Sequence, residues 1–133
     1  MSAEIFLDSS AIYALTDKDD EAGPSVESFL KERRTPPVMT NLIFAESMSL
    51  ITKRLGKRAG ERTGEILLSS QFVRLVYLDE KIHRDAWTFY KKYRDKDFDF
   101  IDATSFVFCQ KRGIKEALTL DRHFSQMGFK IYP

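Results

Sequence analysis

Short apolar runs alternate with longer amphipathic stretches along the chain. EIFL (4–7), FVRLVYL (72–78), ALTL (117–120) and FKIY (129–132) predict strands, with a weaker fifth at PVMT (37–40). Helical patterns lie between them. SAIYALT follows the first run, PSVESFLKERR has a proline suited to a first turn, and TNLIFAESMSLITKRLG closes on a glycine suited to a C-cap. DEKIHRDAWTFYKKYRD sets Ile82, Ala86, Phe89 and Tyr93 on one stripe, and DATSFVFCQKRG ends on another glycine. This alternation predicts an α/β fold around a mainly parallel sheet. TPP (35–37) and GKRAGERTG (56–64) are the most broken stretches and read as connections. With no internal repeat, low-complexity segment or linker, residues 1–133 are expected to form a single domain.

Composition narrows the class. The chain has 133 residues, 43% hydrophobic and 31% charged, as in an ordinary globular protein. No apolar run approaches the ~18 residues of a membrane span, and MSAEIFLD meets an acid too early for a signal peptide, so a cytoplasmic location is expected. Cys109 is the single cysteine, which excludes an intrachain disulfide and a cysteine-rich zinc site. The formal net charge is +1, so a nucleic-acid partner must be met by a local patch rather than a global field.

The carboxylates carry the chemistry. Asp8 follows EIFL and Asp121 follows ALTL, both at the carboxyl edge of the expected sheet, where open α/β folds bind ligands. Either can equally serve as a helix cap, and Asp99 with Asp102 fits a capping box. Glu46 has no such role. Leu42 and Leu50 lie one turn to either side of it, with Ile43, Phe44, Met48 and Ile51 around them, and neither Lys53 nor Arg54 is three or four residues away. Asp102 sits between Phe98 and Phe106 at the same spacing. Two like charges ~4 Å apart repel by roughly 4 kcal/mol at an effective dielectric near 20, so converging acids call for shared protons or a cation. Oxygen ligands suit Mg²⁺ or Mn²⁺, ions that activate water and stabilise phosphoryl displacement.

Four stretches in order resemble the PIN-domain family of ribonucleases and, within it, VapC-like toxins of bacterial and archaeal toxin–antitoxin pairs. They are FLDSSAIYAL, PVMTNLIFAESMSLI with Thr40, DKDFDFIDATSFVFCQKRGI, and ALTLDRHFSQMGFKIYP. The resemblance implies a three-layer α/β/α sandwich with a sheet of about five strands. It also implies a Mg²⁺-dependent endoribonuclease, with Mn²⁺ able to substitute. By position, Asp8 and Asp102 become the principal metal ligands, Glu46 and Asp121 complete the acidic pocket, and Ser9 orients Asp8 or a water. The family often has a small hydroxyl residue where Asp99 stands and threonine where Ile101 stands, so Asp99 either adds charge or caps the helix. A cognate VapB-like antitoxin and a homodimer are implied as well. Apolar residues of the helix at 24–34 and of the Glu46 helix are candidates for the dimer interface.

Lys53, Arg54, Lys57, Arg58 and Arg62 are candidates for holding an RNA backbone, and the aromatics of YKKYR (90–94) either stack bases or join the core. His83 and His123 are not assigned to metal, because a hard ion prefers oxygen. Two other classes stay open: an interaction module on the same scaffold that does not catalyse, and a phospho-aspartyl protein. A dehalogenase-type member of the second class requires an aspartate at position 10, where this chain has Ser10.

Overall fold

The computed structural model describes residues 4–69 and 71–133; Met1 to Ala3, the start of MSAEIFLD, lie outside them. The strands are β1 (Phe6–Leu7), β2 (Val38–Thr40), β3 (Arg74–Val76), β4 (Glu116–Leu118) and β5 (Lys130–Tyr132). The helices are α1 (Ser9–Thr16), α2 (Gly23–Lys31), α3 (Asn41–Leu55), α4 (Lys57–Leu68), α5 (Glu80–Lys92), α6 (Phe100–Arg112) and α7 (His123–Gln126). All five expected strands are present but shorter than their apolar runs. The sheet is wholly parallel in the order β3-β2-β1-β4-β5. Phe6, Leu7, Val38 and Met39 are buried, as expected of strands covered on both faces.

Topology fixes the layers. The connections from β1 to β2 and from β2 to β3 step one way along the sheet, and that from β3 to β4 steps back. Right-handed crossovers therefore put α1 to α4 on one face and α5 and α6 on the other. Helix contacts agree, since α1 packs against both α2 and α3, α3 packs along α4, and α5 packs along α6. Strand order reverses between β1 and β4, which opens a crevice at their carboxyl ends.

Local signals explain most boundaries. Pro24 sits in the first turn of α2. Thr40 caps α3 by accepting from Ile43 N at 3.2 Å. Gly56 and Gly113 end α3 and α6 at positive φ, 97° and 77°, where a Cβ is disfavoured. Residues 56–64 correct the reading as a connection, because all but Gly56 are helical. Their glycines allow a close helix pair: a Cβ on Gly60 would meet Thr52 Oγ1 at 2.9 Å, and one on Gly64 would meet Met48 Sδ at 3.2 Å.

Candidate active site

Asp8 leaves β1 directly into the crevice and is only 4% exposed. It stands at the N-cap of α1, but its side chain makes no capping bond. Its Oδ2 instead accepts from Thr119 Oγ1 at 2.8 Å and Ser10 Oγ at 2.9 Å. These hydroxyls stitch β1 to the segment after β4: Leu120 N donates to Ser10 Oγ at 2.9 Å, and Asp121 N donates to Thr119 Oγ1 at 3.0 Å. Burial raises the pKa of Asp8, against the pull of the two hydroxyls. Asp121 lies three positions beyond β4 rather than directly after it, on the turn into α7.

Glu46 projects from the middle of α3 and meets Ser9, whose Oγ donates to Oε1 at 2.6 Å. This corrects the expectation for Ser9: its hydroxyl serves Glu46, and the next residue, Ser10, serves Asp8. Consecutive helical side chains diverge by about 100°, so the two serines at the start of α1 reach different acids. Burial raises the pKa of Glu46, and the charges of Asp8, Asp99 and Asp121 add to the effect.

Asp99 is the N-cap of α6, and with Asp102 it forms a reciprocal capping box. Asp99 Oδ1 accepts from Asp102 N at 2.9 Å, and Asp102 Oδ2 accepts from Asp99 N at 3.1 Å. Asp102 nevertheless keeps a carboxyl pKa pushed up to about 8, by burial first and then by the charge of Asp99, with Asp121 and Asp8 contributing. The structure thus brings Asp8, Glu46, Asp102 and Asp121 into one electrostatic cluster. Beside it an open recess of about 590 Å³ is lined by Ser10, Asp97, Asp121, Arg122 and His123.

Two contributors were not legible as site residues, and a third, His123, was expected only to line the pocket. Thr119 and Ser10 hold Asp8. His123 sits 2.9 Å from Asp121 Oδ1 through Nδ1, and 2.7 Å from Asp97 Oδ1 through Nε2. Burial lowers the pKa of His123, but the carboxylates of Asp97 and Asp121 outweigh it and hold the value up. The DRHF stretch carried a signal for His123 as a lining residue by resemblance to the family's closing pattern, and the recess beside the cluster includes it.

The basic candidates are surface residues. Lys53, Arg54, Lys57, Arg58 and Arg62 are all exposed on the end of α3 and on α4. Arg54 lies over the Tyr13 ring at 5.3 Å. Among the described residues none forms an ion pair with the acids of the cluster. YKKYR divides: Tyr93 packs against Phe89 and Phe98, whereas Tyr90 stacks on Trp87, which is 50% exposed.

Residues 5–130 match the PIN domain family. The chain belongs to that family. It is 33% identical over 126 residues to the 23S rRNA-specific endonuclease VapC20 of Mycobacterium tuberculosis, from strains CDC 1551 / Oshkosh and ATCC 25618 / H37Rv. Those alignments cover 94% of this chain and 95% of each relative. The crystal structure of M. tuberculosis VapC20, described as a Sarcin-Ricin loop cleaving toxin, superposes with a TM-score of 0.90 at 27% identity. That match covers 98% of this chain and 100% of VapC20. The expected PIN-like α/β/α architecture and the resemblance to VapC-like endoribonuclease toxins are both borne out.

Proposed function

We propose that this PIN-domain protein is a divalent-cation-dependent endoribonuclease, the toxin of a toxin–antitoxin pair, whose cation is held by Asp8 and Asp102 with Glu46 and Asp121 completing the pocket. The observation that carries the reading is the convergence of four acids on the β1/β4 crevice, three of them with raised pKa values. Crowded carboxylates whose charged forms are disfavoured by burial and by one another fit a hard cation, and the oxygen-rich donor set suits Mg²⁺ or Mn²⁺. Such an ion, when bound, lowers the pKa of a coordinated water and neutralises charge on the scissile phosphate. The chain's own contribution is positional. Thr119 and Ser10 fix Asp8, Ser9 fixes Glu46, and the capping box fixes Asp102.

Likeness to VapC20 supports a structured ribosomal RNA loop as substrate, acting in the cytoplasm. Among the described residues, no helix is long and apolar enough to cross a membrane. The exposed cations of α3 and α4 are suited to the RNA backbone. For the VapB-like antitoxin, the surface offered is an apolar groove of about 350 Å³ lined by Leu7, Ile12, Leu15, Leu30, Ile66 and Phe72. A homodimer follows from the resemblance.

The test is incubation of the purified protein with 23S rRNA in Mg²⁺, in Mn²⁺ and with a chelator. Cleavage that needs the ion and disappears in Asp8→Asn is expected. Equal cleavage with the chelator, or full activity in Asp8→Asn, overturns the assignment.

A further inference from the structure

A preference of hard ions for oxygen keeps imidazole out of the cation site, but the surroundings of His123 point the other way. Nε2 lies 2.7 Å from Asp97 Oδ1. Asp97 is a surface carboxylate, its side chain 90% exposed, and can only accept, so Nε2 carries the hydrogen. The opposite nitrogen is different. Nδ1 is buried and has no hydrogen-bond partner, although it lies 2.9 Å from Asp121 Oδ1 and 3.8 Å from Asp102 Oδ2. Nδ1 and Asp121 therefore meet at close range without the geometry of a donor and an acceptor. Ligand atoms of Asp102, Asp121 and His123 all lie within 4.8 Å of one another. A buried ring nitrogen without a partner is costly, and a cation shared with the adjacent carboxylates satisfies it. A ring N–H given to a carboxylate on the far side, with the other nitrogen facing the site, is the usual arrangement of a metal-binding histidine.

We propose that His123 is a direct ligand, through Nδ1, of the divalent cation shared with Asp102 and Asp121, and that Asp97 is the positioning residue that orients its ring. The proposal rests on the reading of the acidic cluster as a cation site. It makes that site a mixed nitrogen and oxygen one, which favours Mn²⁺, Co²⁺ or Ni²⁺ over Mg²⁺. The α5–α6 connection, which carries Asp97, becomes part of the metal site without supplying a ligand.

The chain has two histidines, so the nitrogen can be traced. His83 is exposed on α5, where its ring packs against Phe100 with centroids 5.2 Å apart. Mn²⁺ is loaded into untagged wild type, His83→Gln, His123→Gln and Asp97→Asn, and read by pulsed electron paramagnetic resonance for directly coordinated nitrogen. Affinities for Mn²⁺, Ni²⁺ and Mg²⁺ are measured by titration calorimetry. Nitrogen coupling is expected in wild type and His83→Gln and should be absent from His123→Gln. The last should also bind Mn²⁺ and Ni²⁺ at least about tenfold more weakly, with a smaller change for Mg²⁺. Asp97→Asn should keep the nitrogen signal while losing about tenfold in affinity. If His123→Gln fails to fold, coupling that survives His83→Gln still identifies His123. Mn²⁺ bound to wild type without nitrogen coupling overturns the ligand assignment and leaves the cation site standing. No Mn²⁺ or Mg²⁺ binding to wild type overturns both.

Discussion

The two halves of the acidic cluster are built on different principles. On the β1 side, Asp8 and Glu46 each receive short hydroxyl bonds, from Ser10 and Thr119 and from Ser9. On the α6–α7 side the donors are backbone amides: Asp102 accepts from Asp99 N, whose own carboxylate lies close by, and Asp121 Oδ1 accepts from His123 N at 2.9 Å, while the imidazole Nδ1 beside it makes no hydrogen bond. Depth does not separate the halves, since the side chain of Asp102 is itself only 15% exposed. What separates them is the kind of donor, side-chain hydroxyls on one side and backbone amides on the other. A hydroxyl can rotate to suit a carboxylate in either protonation state, whereas a backbone amide is fixed and can only donate.

Removing an acid from the α6–α7 half should have the largest effect. Asp102→Asn is expected to cut RNA cleavage by about two to three orders of magnitude in single-turnover assays. The same substitution should stabilise the metal-free protein in a pH-dependent way. The pKa of Asp102 rises from 3.8 to about 8 on folding, so the native state keeps a proton that the unfolded chain has lost. That contribution is fully present at low pH and is lost as pH rises toward about 8. Thermal melts between pH 5 and 9 should therefore fall less steeply for Asp102→Asn than for wild type. Parallel melting curves would mean that Asp102 titrates normally.

An intermediate effect is expected where the hydroxyl-rich half is weakened. Thr119→Val leaves Asp8 short of one donor and the amide of Asp121 without its acceptor. A loss of about 1–3 kcal/mol in urea unfolding should result, with Thr119→Ser recovering most of it. If the valine and serine variants unfold alike, packing of the methyl group rather than the hydroxyl matters at this position. The smallest effect concerns neither half. Lys57→Ala or Arg58→Ala should leave Mn²⁺ binding untouched and reduce the salt dependence of RNA binding by about one unit of slope each. An unchanged slope would remove α4 from the RNA path.

Legibility followed the range of the interaction. Gly56, Gly113, Pro24 and the Asp99–Asp102 box act within a turn of their own helices, and all could be read directly. Glu46 was legible because an acid on an apolar stripe breaks a local rule. Gly60 and Gly64 were misread because their purpose is the approach of α3, and a glycine that permits packing has the same letter as one that breaks a helix. Ser9 was expected on Asp8 or a water and Ser10 was given no acid, because helical phase, not adjacency, decides which acid each one meets. The tie between His123 and Asp97 spans 26 positions and exists only once the turn before α6 lies against α7. Tyr90 and Tyr93 parted because Tyr93 is the C-cap of α5, beyond its last helical residue.

The bond from Thr119 to Asp8 joins residues 111 positions apart. During synthesis, Asp8, Ser9, Ser10 and Glu46 leave the ribosome long before Thr119, Asp121 and His123. A pocket assembled from both groups cannot exist while β4 is still unmade. Contacts so distant along the chain also form late in refolding, after local helices are in place. The delay is written into strand order: the pocket stays incomplete until its last acid has met its first.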